Sequence, residues 1–127
     1  MTIGLWQTLR CEDADAMIAF LTAIGFTEHG IYRNDADPNI VEHAQLVWPQ
    51  GGGVMLGSHR PGTDWEMTPG TAGTYLVTDD PDAVYERALA AGAVSIREPQ
   101  DEDYGGRGAG VRDQEGNLWS FGSYAPV

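Results

Sequence analysis

The chain repeats itself. At a displacement of 67 residues, TLRCEDADAMIAFLTAIGF (8–26) lies over YLVTDDPDAVYERALAAGA (75–93) without a gap, pairing Leu9 with Leu76, Asp13 with Asp80, Asp15 with Asp82 and Gly25 with Gly92. At a displacement of 65, HAQLVWPQGGGVMLGS (43–58) lies over GAGVRDQEGNLWSFGS (108–123), pairing Gly51 with Gly116 and Gly57-Ser58 with Gly122-Ser123. Internal repetition constrains architecture more than any local signal. At 127 residues the two copies are halves of one compact domain rather than two independent ones, and they should enclose whatever the protein acts on.

Each copy carries the same structural grammar. IGLWQTLRC reads as a strand, and Asp13 is placed to cap the helix that follows. Met17, Phe20, Leu21 and Ile24 recur at helical spacing, and Gly25 ends the run. The second copy has Asp80 as cap, Pro81 at the first helical position, a stripe of Val84, Ala88 and Ala91, and Gly92 as the stop. The segments FTEHGIYRN, NIVEHAQLVW and VMLGSH follow in the first copy. VSIREP, RGAGVRD and LWSFGSY follow in the second, all as strands. The fold expected is α+β: a single domain over 1–127 made of two tandem βαβββ modules, 2–59 and 73–125, joined by a Pro/Gly-rich connection over 60–72. With one helix per four strands, one sheet face takes the helices outside and the other curves, as a mixed sheet, around a cavity.

Seven basic against nineteen acidic residues give a net charge of −12, which excludes nucleic acid as a partner and disfavours anionic membranes. Such acidity serves solubility or draws in a cationic small molecule. No stretch approaches the roughly 18 apolar residues of a membrane span, and the N-terminus has no basic start or apolar run, so a cytoplasmic protein is expected. Cys11 is alone and reads as a small core residue rather than a nucleophile.

The closing segment YGGRGAGVRDQEGNLWSFGSY, with Asp113, Gly116, Asn117 and Trp119, resembles the last hairpin of the vicinal oxygen chelate superfamily. That superfamily includes glyoxalase I, extradiol dioxygenases and bleomycin-resistance proteins. LRCEDADAMIAFLTAIGF and DDPDAVYERALAAGA resemble its opening strand and helix in each module. The resemblance implies four metal-ligand positions, one on the first and one on the last strand of each module. Here they fall on Trp6, Met55, Gly73 and Ser120, and the repeat agrees, since Trp6 lies on Gly73 and Met55 on Ser120. None is an ordinary ligand for a divalent metal. His29, His43 and His59 sit on separate segments with no helical pairing, and Gln7 has the parity of the helix side.

The reading expected is therefore a cofactor-free, metal-independent protein of the bleomycin-resistance kind. It would sequester an apolar or aromatic, possibly cationic, ligand such as an antibiotic, as a homodimer. The alternative is an enzyme of the same superfamily, a lyase, isomerase or dioxygenase with a non-standard site, using Arg10, Tyr75 or His59 as acid or base. A third is a collapsed cavity acting only through dimer contacts. Strand parity places Trp6, Thr8, Arg10, Met55, Gly57, Tyr75 and Ser120 on the ligand face, and Leu9, Cys11, Val54, Leu56, Leu76, Trp119 and Phe121 under the helices. Arg107 is a further candidate for a charged contact, or else pairs with the acidic loop DEDYG. Trp65 and Tyr104, in loops near the cavity mouth, either close over a ligand or pack at a subunit contact.

Overall fold

The computed structural model describes residues 2–126. These divide into two compact units, Met1–Pro69 and Gly70–Val127. The first runs β1 (Trp6–Cys11), α1 (Ala14–Ile24), β2 (Thr27–Arg33), β3 (Val41–Val47), β4 (Gly53–Ser58). The second runs β5 (Gly73–Val77), α2 (Pro81–Ala90), β6 (Val94–Asp101), β7 (Arg107–Arg112), β8 (Leu118–Gly122). Both are βαβββ modules, and the architecture is α+β with two four-stranded mixed sheets, ordered β1-β4-β3-β2 and β5-β8-β7-β6. In each, the first strand pairs parallel with the last, Trp6 opposite Gly53 in one and Gly73 opposite Leu118 in the other, while the remaining pairs are antiparallel.

The helix boundaries follow from their caps. Asp13 Oδ1 accepts the Ala16 amide at 3.0 Å and Asp80 Oδ1 the Ala83 amide at 3.1 Å, so each aspartate satisfies a backbone donor that the first turn leaves open. At the end of α1 the chain turns through Gly25, whose φ of 130° suits glycine, and Phe26 N donates to Leu21 O at 3.0 Å. Helix α2 closes at Ala91, with Gly92 next at φ 102°.

Burial reproduces the expected strand parity. Leu9, Cys11, Val54 and Leu56 are covered by Met17, Phe20, Leu21 and Ile24 of α1. In the second module Leu76, Ala109, Val111, Trp119 and Phe121 are buried, and α2, whose Val84, Tyr85 and Ala88 are buried with them, packs on β6, β7 and β8. Tyr85 takes the place expected for Ala91 in the apolar stripe, because its hydroxyl finds Ser95 Oγ at 2.8 Å and the ring can then be buried. Strand β6, which contains Pro99, is an edge strand with two register shifts against β7, a setting in which a missing amide proton costs little. No helix among the described residues is long and apolar enough to cross a membrane.

Candidate functional site

The motif that dominates the last hairpin is structural. Asp113 is 4 % and Asn117 2 % exposed, so both must find partners inside the fold. Asp113 Oδ1 accepts the amides of Glu115, Gly116 and Asn117 at 2.9–3.0 Å; Oδ2 accepts Asn117 Nδ2 at 3.0 Å and Trp119 Nε1 at 2.8 Å. Asn117 Oδ1 in turn accepts the Ala72 amide at 3.0 Å, tying the start of β5 to the hairpin. The network fixes β8 and so the face on which Ser120 stands.

In the first module, the sheet face opposite α1 holds a hollow of about 190 Å³ lined by Thr8, Arg10, His43, Met55, Leu56, Trp65 and Met67. Thr8 and Met55 are register partners on β1 and β4, and Arg10 is opposite Gly57. The guanidinium lies over Gly57, where a Cβ would meet Arg10 Nη1. Trp65 and Met67 come from the segment after β4, with Trp65 66 % exposed; Thr8 Oγ1 lies 3.8 Å from Met67 Sδ. His43 Nε2 and Gln45 Oε1 are 3.0 Å apart on β3. Burial, then the neighbouring charge of Arg60, holds Arg10 below the usual arginine range.

The equivalent face of the second module bears a hollow of about 370 Å³ between Gly73, Thr74, Ile96, Arg97, Gly110, Leu118 and Ser120. Thr74 Oγ1 is buried there without a hydrogen-bond partner, while Ser120 Oγ makes only a long 3.5 Å contact to Thr74 O. Arg97 is held by Glu102 at 2.8 Å.

The structure thus brings together Thr8, Arg10, Met55 and Trp65, with Gly57 beneath the guanidinium, and sets Ser120 in the other module's hollow. The remaining candidates go elsewhere. Trp6 covers Gly53 and donates its indole N–H to Ile3 O at 3.2 Å. Tyr75 lies across Gly122 and donates to Tyr124 O at 2.6 Å; desolvation first, then the nearby Tyr104, raises its pKa, so it is a poor base at neutral pH. Tyr104 packs edge-on against Tyr124 at 5.2 Å.

Of the two readings expected for Arg107, the structure shows the ion-paired one. Its strand parity is that of buried Ala109 and Val111, and it reaches α2, where Nε and Nη2 grip Asp82 at 2.7 and 3.0 Å and Nη1 meets Asp101 at 3.3 Å. Asp101 is the first residue of the acidic run DEDYG, so the pairing expected with that loop is present, beside a shorter one to Asp82. His43 and Met67 were outside the expected lining. His43 had a signal, since β3 is central and its parity is that of Met55's partner Gln45. Met67 had none, because its position depends on the path of an irregular segment.

The four residues that the resemblance puts at the superfamily's metal positions are not ordinary ligands for a divalent ion. Trp6 offers an N–H already donated, Met55 a thioether, Gly73 no side chain and Ser120 a neutral hydroxyl. Among the described residues no group of three or more His, Cys, Asp or Glu side chains is placed to hold a metal. His59 Nδ1 lies 3.1 Å from Glu12, whose carboxylate is on the same module's surface.

The family profile described as "Glyoxalase/Bleomycin resistance protein/Dioxygenase superfamily" matches residues 5–121. Among solved structures, TioX from Micromonospora sp. ML1 is similar at 27% identity and TM-score 0.74, with 98% of this chain and 100% of that one covered. TnmS3, an antibiotic binding protein from Streptomyces sp. CB03234, is similar at 20% identity and TM-score 0.70, covering 96% of this chain and 95% of its own. A glyoxalase I mutant from Zea mays is similar at 22% identity and TM-score 0.71, covering 96% of this chain and 45% of that one. No curated protein sequence matches.

Proposed function

We propose that this chain, which belongs to the glyoxalase/bleomycin resistance protein/dioxygenase superfamily, is one of its metal-independent binding proteins and sequesters an apolar or aromatic small molecule such as an antibiotic. The observation that carries the reading is the donor set. Where metal-using members place imidazoles and carboxylates, this chain has Trp6, Met55, Gly73 and Ser120. Lewis-acid chemistry worth several kcal/mol to an enzyme of this kind therefore has no obvious holder.

Contact surface is supplied instead. Trp65, Met55 and Met67 offer a ring and two polarisable thioethers around one hollow, a lining suited to a flat apolar body held by dispersion. Similarity in fold to an antibiotic binding protein supports the ligand class. The protein works as a cytoplasmic homodimer in this proposal, and the exposed Val94 and Ile96 on edge strand β6 are apolar surface that a partner copy would cover.

Thermal-shift titration of EDTA-treated protein with planar aromatic antibiotics tests the proposal. Saturable stabilisation, undiminished by chelation, is the expected result. A stoichiometric transition metal that survives purification and is required for binding or turnover would overturn it.

A further inference from the structure

All seven cationic side chains of this acidic protein are arginines, and six of them have partners. Arg33 pairs with Asp15, Arg60 with Glu42, Arg97 with Glu102 and Arg107 with Asp82; Arg112 donates to Gly116 O, and Arg87 also has a polar or electrostatic partner. The Arg10 side chain alone makes no hydrogen bond or ion pair among the described residues. Its Nε is buried without a partner, and the neighbouring charge of Arg60 is a like charge. Leaving a guanidinium donor dry and unpaired is costly when nineteen carboxylates are available. Among the described residues no carboxylate lines the hollow into which Arg10 faces; His43 is the other ionisable side chain there.

Resting on the binding function proposed above, we infer that the ligand of the first-module hollow is an organic acid. An apolar aromatic body lies against Trp65, Met55 and Met67, and an ionised oxygen, a carboxylate or acidic phenol, accepts hydrogen bonds from the Arg10 guanidinium. The inference reverses the sign expected from the net charge of −12, because selectivity follows the charge lining the hollow and not the sum over the surface. Gly57 belongs to the device. Any side chain there would strike Arg10 Nη1 and push the guanidinium from the face.

The test is a matched set of bicyclic probes, 2-naphthoate, 2-naphthamide and 2-naphthylmethylammonium, titrated calorimetrically into the wild-type protein and into Arg10→Gln and Arg10→Lys. In the wild type, naphthoate should bind at least about tenfold tighter than the amide, and the ammonium probe weakest, as expected when one charge-assisted contact separates them. Arg10→Gln should erase the preference for the acid over the amide, and Arg10→Lys should restore part of it. The wild-type ratios stand even if a variant folds poorly. Equal binding of acid and amide, or tightest binding of the ammonium probe, overturns the inference and leaves the binding function intact. Failure of all three probes, with antibiotics also silent, overturns both.

Discussion

Asp113 shows how much one buried carboxylate can organise. Five donors converge on its two oxygens, and two of them, from Asn117 and Trp119, are side chains that themselves lie in the core. Asp113→Asn keeps the shape but turns an amide NH₂ toward two donors. The expected cost is about 1–3 kcal/mol, read as a lower urea midpoint with an unchanged slope. Arg107 makes a prediction of a different kind. Its hydrogen bond lowers the pKa of Asp82, so the pair's stabilisation is complete above the ordinary aspartate range and is lost as pH falls through the depressed value. Arg107→Gln should therefore melt below the wild type at pH 7, with the gap closing in acid. A gap that persisted at the lowest pH would remove the pair as its cause. The difference will be small, because both groups are solvated.

At the scale of elements, the two N-caps are the cheapest points of failure. Asp13→Ala and Asp80→Ala each remove the acceptor for a first-turn amide and should cost about 0.5–2 kcal/mol in chemical unfolding. Gly70 is more stringent: its φ is 81°, and a Cβ would run into Glu115 O, so Gly70→Ala should cost more than the roughly 1 kcal/mol of conformational strain alone. Caps, stops and strand faces were all legible in the sequence, since each depends on residues a few places apart: Asp13 and Ala16, or the alternation that buries Leu9 and Cys11 and leaves Thr8 and Arg10 on the other face. Arg107 was legible only in part: the nearby run DEDYG supplies Asp101, but the closer partner Asp82 is on a helix that alternation says nothing about. The same limit applies to Met67. Tyr75 and Trp6 stand on strands of the correct parity, yet bend over glycines of the neighbouring strand, Gly122 and Gly53, whose missing side chains open the way. Which neighbour is a glycine can be read once the pairing is known, and the pairing is a tertiary fact.

For the whole molecule the governing quantity is net charge. With nineteen acids against seven arginines, carboxylate repulsion outweighs the exposed ion pairs, and screening it should help the folded state. Raising sodium chloride from low to roughly physiological ionic strength and beyond should lift the melting temperature by a few degrees, about 1 kcal/mol. A fall instead would mean that the arginine pairs matter more than the repulsion. The architecture was open to prediction at this scale because it is written twice, and two imperfect copies correct each other's ambiguities. The closing pairs, β1 with β4 and β5 with β8, carry one more implication. A nascent chain leaving the ribosome cannot seat Trp6 until Gly53 has emerged, nor Gly73 until Leu118 has, so synthesis releases this protein in two late clicks, each finishing a half whose opening strand has been waiting for its mate.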